Sequence, residues 1–167
     1  DITVAAGKTE TISQSVDVAN PKLWSVDSPN LYWVRTEIIQ NGKVVDRTDS
    51  RFGIRYIATN PNSGFYLNGV HTKLNGVCEH SDLGSLGMET YQAAVDRRIR
   101  TLKKYGVNAI RTSHNPVSPE FIEACDRLGM LVFEEAFDQW LYSKNSDDYH
   151  NYFNKAADGK TVVFDKA

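Results

Sequence analysis

Two histidines, an arginine and several carboxylates fall in this sequence just behind short apolar runs, the places where a buried strand hands side chains to a ligand. Cys78-Glu79-His80-Ser81-Asp82 closes the first run, Arg111-Thr112-Ser113-His114-Asn115 the second, and Glu134-Glu135-Ala136-Phe137-Asp138-Gln139-Trp140 the third. Imidazole, guanidinium and carboxylate groups fix hydroxyls by directional hydrogen bonds, while an indole offers a flat apolar surface. Together these are the contacts a sugar ring uses.

Other chemistries fare worse. Neither Gly-x-Gly-x-x-Gly nor Gly-x-x-x-x-Gly-Lys-Ser/Thr follows any run, so no phosphate cradle is signalled, and Gly84-Ser85-Leu86-Gly87 is too short for one. Ser113 lacks the Gly-x-Ser-x-Gly elbow of a serine hydrolase. His80, His114 and one carboxylate could supply three metal ligands, but their spacing matches no compact motif. Glu134 and Glu135 are neighbours, and neighbours on a strand point to opposite faces. At most one of them faces a site, and the other caps or pairs within the wall.

The elements that must position these groups follow from periodicity. Residues 74–80, 107–111 and 130–134 read as strands. Between them, residues 90–105 read as a helix with Tyr91, Val95, Ile99 and Leu102 on one face. A second helix is signed by Ser118 as N-cap, Pro119 at the first helical position, a stripe of Phe121, Ile122, Cys125 and Leu128, and Gly129 as the C-terminal stop. Strand, helix, strand, helix, strand with short links is the grammar of a parallel sheet, open or closed into a barrel, with its ligand site at the carboxyl ends of the strands.

The first sixty residues follow a different rule. Ile12, Val16 and Val18 alternate with polar residues, as do Tyr32, Val34, Thr36 and Ile38, and Asn41-Gly42 sits between apolar pairs as a tight hairpin turn would. Four or five antiparallel strands are expected here, fewer than the roughly seven of a complete immunoglobulin-like sandwich. The loop from Asn20 to Tyr32, with Pro21 and Pro29, should pin itself to a core through Trp24, Leu31 and Tyr32. Asn60-Pro61-Asn62-Ser63-Gly64 marks the break, dividing the chain into residues 1–60 and 61–167. Beyond Trp140 the composition turns polar, as in a long surface excursion.

Composition narrows the partners. With 167 residues, 41% of them hydrophobic, the chain can build a real core. A formal charge of -2 and the lack of basic runs among aromatics argue against nucleic acid and anionic membranes. No apolar run approaches the ~20 residues of a membrane span, and residues 1–8 lack the order of a signal peptide, so no compartment is assigned. Cys78 and Cys125 lie in apolar patterns and are expected to be buried free thiols.

The motifs Pro21-Lys22-Leu23-Trp24-Ser25, Pro29-Asn30-Leu31-Tyr32, Phe52-Gly53-Ile54-Arg55, Gly64-Phe65-Tyr66-Leu67-Asn68-Gly69, Leu74-Asn75-Gly76-Val77-Cys78-Glu79-His80, Asn108-Ala109-Ile110-Arg111-Thr112-Ser113-His114-Asn115-Pro116 and Phe133-Glu134-Glu135-Ala136-Phe137-Asp138 occur in an order that resembles glycoside hydrolase family 2, the β-galactosidase and β-glucuronidase group. That resemblance implies the later strands of an incomplete, immunoglobulin-like antiparallel β-sandwich, followed by the first βα units of a (β/α)8 TIM barrel, also incomplete. It implies that His80 and His114 hydrogen-bond sugar hydroxyls, that Arg111 orients the nucleophilic carboxylate, and that Asn115, Asp138 and Trp140 are candidates to line the pocket. The family's acid/base glutamate lies in an Asn-Glu pair, which this sequence does not contain. No catalytic carboxylate is therefore expected in this chain. Metal-dependent members carry a glutamate and a histidine after the third strand, where this chain has Gln139 and Trp140, so no cofactor is expected from these residues, and a divalent cation stays open only for the full-length parent. The details around Trp140 resemble bacterial β-galactosidases more than glucuronidases, with a β-galactoside as the implied substrate. Three barrel strands alone would leave open edges, so self-association is expected as well.

Overall fold

The computed structural model describes residues 2–136. The candidate pocket residues Asp138 and Trp140, and the polar stretch after them, lie outside the described residues.

The polypeptide begins its regular structure with a long hairpin, β1 (Tyr32–Gln40) and β2 (Lys43–Phe52). Its turn is Asn41-Gly42, with φ of 52° and 76°. Two successive positive φ angles match the twist of the flanking strands, which is why Asn-Gly serves there. The register runs from Tyr32 opposite Phe52 to Gln40 opposite Lys43, with a bulge between Ile38 and Ile39. Fewer strands form in this half than the alternation suggests. Ile12, Val16 and Val18 lie outside any strand and are exposed. An extended segment needs a ladder partner for its N–H and C=O groups, and none of the described residues provides one there.

A small antiparallel sheet follows, with β3 (Ile57–Asn60), β4 (Gly64–Leu67) and β5 (Val70–His71) in that order. Pro61, Asn62 and Ser63 form the turn between β3 and β4, held by Asn60 Oδ1, which accepts from the backbone N–H of Asn62 and Ser63.

The third sheet is parallel: β6 (Gly76–Glu79), β7 (Ala109–Thr112) and β8 (Leu131–Phe133), in that order. Helix α1 (Gln92–Lys104) joins the first two strands and α2 (Pro119–Leu128) joins the last two. The signals for α2 act as its chemistry dictates. Ser118 Oγ accepts from Phe121 N, Pro119 opens the helix, and Gly129 closes it at φ 76° and ψ 58°. A Cβ at Gly129 would also run into the carbonyl of Val26, so the position requires glycine twice over. For α1, Tyr91 is the N-cap and not part of the buried stripe; its ring is exposed.

The register of the parallel sheet fixes which side chains share a face. Val77, Ile110 and Val132 lie in one row and join Val95, Ile99, Phe121, Ala124, Cys125 and Met130 in the core between sheet and helices. Burying a residue such as Ile99 or Ile110 stabilises the fold by ~1.5–3 kcal/mol. The flanking rows, Gly76–Ala109–Leu131 and Cys78–Arg111–Phe133, face the other way. This alternation corrects the expectation for Cys78, which is exposed, while Cys125 is buried.

At the amino end of these strands the 20–32 loop is pinned as expected. Trp24 is 2% exposed and packs with Leu67 and Leu131, while its Nε1 donates to Asp126 O at 2.7 Å. Arg55 lies over the indole at 4.6 Å. Lys103 Nζ donates to Val26 O, Leu128 O and Gly129 O, placing a cation at the carboxyl end of α2.

Candidate functional site

The opposite end of the parallel sheet carries the polar residues. β6 runs out into His80, β7 into Ser113 and His114, and β8 into Glu134 and Glu135. The two imidazoles meet edge to face, with ring centroids 5.6 Å apart and planes inclined at 71°. Both histidines are exposed, His114 with 47% of its side chain open to solvent. The Ser113–His114 peptide is cis.

Arg111 is the hub. Its Nε donates to Glu135 Oε1 at 2.8 Å and its Nη2 to the same oxygen. Its Nη1 donates to Ser113 Oγ at 3.1 Å and reaches Cys78 Sγ at 3.6 Å. The Cys78 thiol and the Glu135 carboxylate hold the guanidinium above its already high ordinary pKa, so it is a fixed cation. Glu135 turns its other oxygen to His114, Nδ1 to Oε2 at 3.3 Å, and its backbone N–H donates to Thr112 Oγ1 at 2.9 Å. Thr112 and Ser113 are buried, so the strand end that carries this cluster is packed into the fold. Asn115 Nδ2 approaches Ser81 Oγ at 3.5 Å, which ties the second strand end to the first.

Glu79 belongs elsewhere. It lies one position from Cys78, turns toward the helices, and takes Arg98 Nη1 at 2.8 Å, while Arg98 Nη2 donates to Asp82 O. The structure therefore brings His80, Arg111, His114 and Asn115 to one edge and adds Glu135. Adjacency in the sequence does not decide which of Glu134 and Glu135 turns to the site. Parity along the strands resolves it: Phe133 shares a row with Arg111, so Glu135, two residues on, points the same way. Among the described residues no group of three or more His, Cys, Asp or Glu side chains could hold a metal ion. No helix among them is long and apolar enough to cross a membrane.

A parallel sheet with helices on one face and polar groups gathered at its carboxyl ends fits the opening of a TIM barrel. The comparisons with known proteins agree. A family model described as "Glycosyl hydrolases family 2" matches residues 1–55, and one described as "Glycosyl hydrolases family 2, TIM barrel domain" matches residues 59–163. The chain belongs to glycosyl hydrolase family 2. It is 44% identical over 150 residues to a β-galactosidase of Bacteroides ovatus, covering 90% of this chain and 18% of that protein. A crystal structure of a family 2 member from Bacteroides cellulosilyticus superposes with a TM-score of 0.75 at 49% identity, over 81% of this chain and 17% of that one. The β-glucuronidase of Parabacteroides merdae superposes with a TM-score of 0.69 at 30% identity, over 83% of this chain and 17% of that one. The chain thus spans under a fifth of the length of these relatives.

Proposed function

We propose that this chain is part of a retaining exo-β-glycosidase that removes terminal β-galactosyl units. The carrying observation is the convergence of His80, Arg111 and His114 at the carboxyl ends of adjacent parallel strands. In this reading residues 1–60 are the later strands of a sandwich domain and residues 61–167 the start of the catalytic barrel. His80 and His114 hydrogen-bond sugar hydroxyls, with Asn115, Asp138 and Trp140 around them. Arg111 orients a nucleophilic glutamate borne on a later strand. That glutamate attacks the anomeric carbon while a second glutamate protonates the leaving oxygen, and water then releases the sugar with its configuration retained. No step in the scheme needs a metal or another cofactor from these residues. The 167-residue chain alone has no turnover, because its own residues include neither glutamate.

A glucuronidase of the same family is the second reading, supported by the likeness to the Parabacteroides merdae enzyme. A glucuronide brings a carboxylate that wants a cation. Arg111 already pairs with Glu135, and in this reading its remaining donors go to the nucleophilic glutamate rather than to a substrate carboxylate, which favours the galactoside. The test is turnover of nitrophenyl β-galactoside and β-glucuronide by the parent enzyme. Faster galactoside turnover is expected, and a preference for the glucuronide would replace the reading. A non-catalytic carbohydrate-binding module is separated from both by the gene beyond residue 167, where the enzyme requires an Asn-Glu pair and further βα units.

A further inference from the structure

We propose that Glu135 is a positioning residue of the pocket, one carboxylate that sets the orientation of both Arg111 and His114. The proposal rests on the glycosidase reading above and adds to it a residue that reading does not use. Three observations carry it. Glu135 Oε1 accepts from two nitrogens of the same guanidinium, Nε and Nη2, which fixes the plane of the group and not merely its position. Its Oε2 lies 3.3 Å from His114 Nδ1, so the guanidinium and the imidazole share one support. The carboxylate itself is anchored, because the Glu135 backbone N–H donates to Thr112 Oγ1 and Thr112 is fully buried.

The geometry also says which edge of Arg111 remains for the nucleophile. A guanidinium has five N–H donors. Among the described residues, Glu135 takes two, Ser113 Oγ one, and the Cys78 sulfur makes a long contact with Nη1. The second Nη2 proton and the weakly held Nη1 proton are left for a further acceptor. Glu135 thereby presents one fixed edge of the guanidinium. A neutral amide at 135 would keep the shape, but it would lose the charge that holds Arg111 and one of the two acceptor oxygens, so it could no longer accept from both the guanidinium and the imidazole.

The test uses the parent enzyme with Glu135→Gln and Glu135→Asp, each assayed on nitrophenyl β-galactoside and each crystallised. Displacement of reacting groups by about 1 Å costs on the order of 100-fold in rate. Glu135→Gln should therefore lower kcat by about that factor, with a smaller rise in KM as His114 loosens its hold on the sugar, and Glu135→Asp should recover part of both losses. In an Arg111→Met background Glu135→Gln should cost less than it does in the wild type, because only the His114 support is left to lose, an outcome that a general loss of stability would not produce. In the Glu135→Gln crystal the guanidinium and the His114 ring should leave the positions they hold in the wild type. Unchanged kcat, or both groups still in place, overturns the proposal. An inactive wild-type enzyme would sink the glycosidase reading, while the crystal comparison would still decide whether Glu135 orients the two groups. If Glu135→Gln does not fold, Glu135→Asp answers both questions.

Discussion

Cys78 and Cys125 sit in similar apolar surroundings in the sequence and in opposite environments in the structure. Cys125 is 1% exposed on the buried face of α2, and burial, with a smaller push from Asp126, drives its thiol pKa up to about 12. Cys78 faces away from the helices, beside Arg111. Native protein treated with iodoacetamide should therefore carry one adduct, on Cys78, and Cys125 should react only in denaturant. Peptide mass spectrometry checks this, and native labelling of Cys125 would contradict the placement. At the same edge, His114→Phe keeps a flat ring and removes both nitrogens. Under the glycosidase reading, a lost hydrogen bond of about 1–3 kcal/mol predicts a fall of roughly 5- to 150-fold in the parent's kcat/KM. Little or no change in galactoside kinetics would remove His114 from the substrate contacts.

The helices are joined by a charge as well as by their apolar stripes. Asp96 on α1 is 9% exposed and accepts from Arg127 of α2 at 2.6 Å, from Gln92 at 2.8 Å and from Arg100 at 3.3 Å. The Arg127 guanidinium, above all, holds its carboxyl below the usual carboxylate range against the opposing effect of burial. A carboxyl with a depressed folded-state pKa stabilises the fold above its unfolded value, and that stability is lost as pH falls through the folded value. Urea denaturation should therefore show stability falling below about pH 4, with Asp96→Asn flattening that limb. At pH 7 the same substitution should cost about 1.5–3 kcal/mol, the worth of hydrogen bonds to a charged group. This network was illegible in the sequence because its partners are 31 residues apart and approach one another only when α1 and α2 pack. By contrast, Ser118, Pro119 and Gly129 announced α2 because capping is local, and Asn41-Gly42 announced its turn for the same reason. Alternation misled at Ile12, Val16 and Val18, since period two records only a tendency to extend and says nothing of a partner strand. It also left Glu135 undecided until the sheet register was known.

At the scale of the whole molecule, the two ends of the parallel sheet do different work. The amino end is sealed by Trp24, Leu67 and Leu131, with Arg51 of β2 paired to Glu123 of α2 nearby. Trp24→Ala should cost about 3–5 kcal/mol, the usual loss for a buried aromatic, and would also leave the Asp126 carbonyl without its indole donor. The sheet's sides are another matter. Among the described residues, β6 and β8 each have a neighbour on one side, and Phe133 on the face turned from the helices is 71% exposed. The β1–β2 hairpin likewise exposes Trp33, Val34, Ile38, Ile39, Val44 and Val45. A TIM barrel removes such edges only when eight strands close. Open edges beside apolar surface template pairing with a second chain. The 167-residue chain should therefore associate with itself at concentrations on the order of 10 μM and above, as aggregation-prone open edges do. Sedimentation velocity across a dilution series measures this directly. A lysine at Phe133 should weaken the association by placing a charge on the exposed face, whereas a single monomeric boundary at every concentration would mean that the edges are already covered.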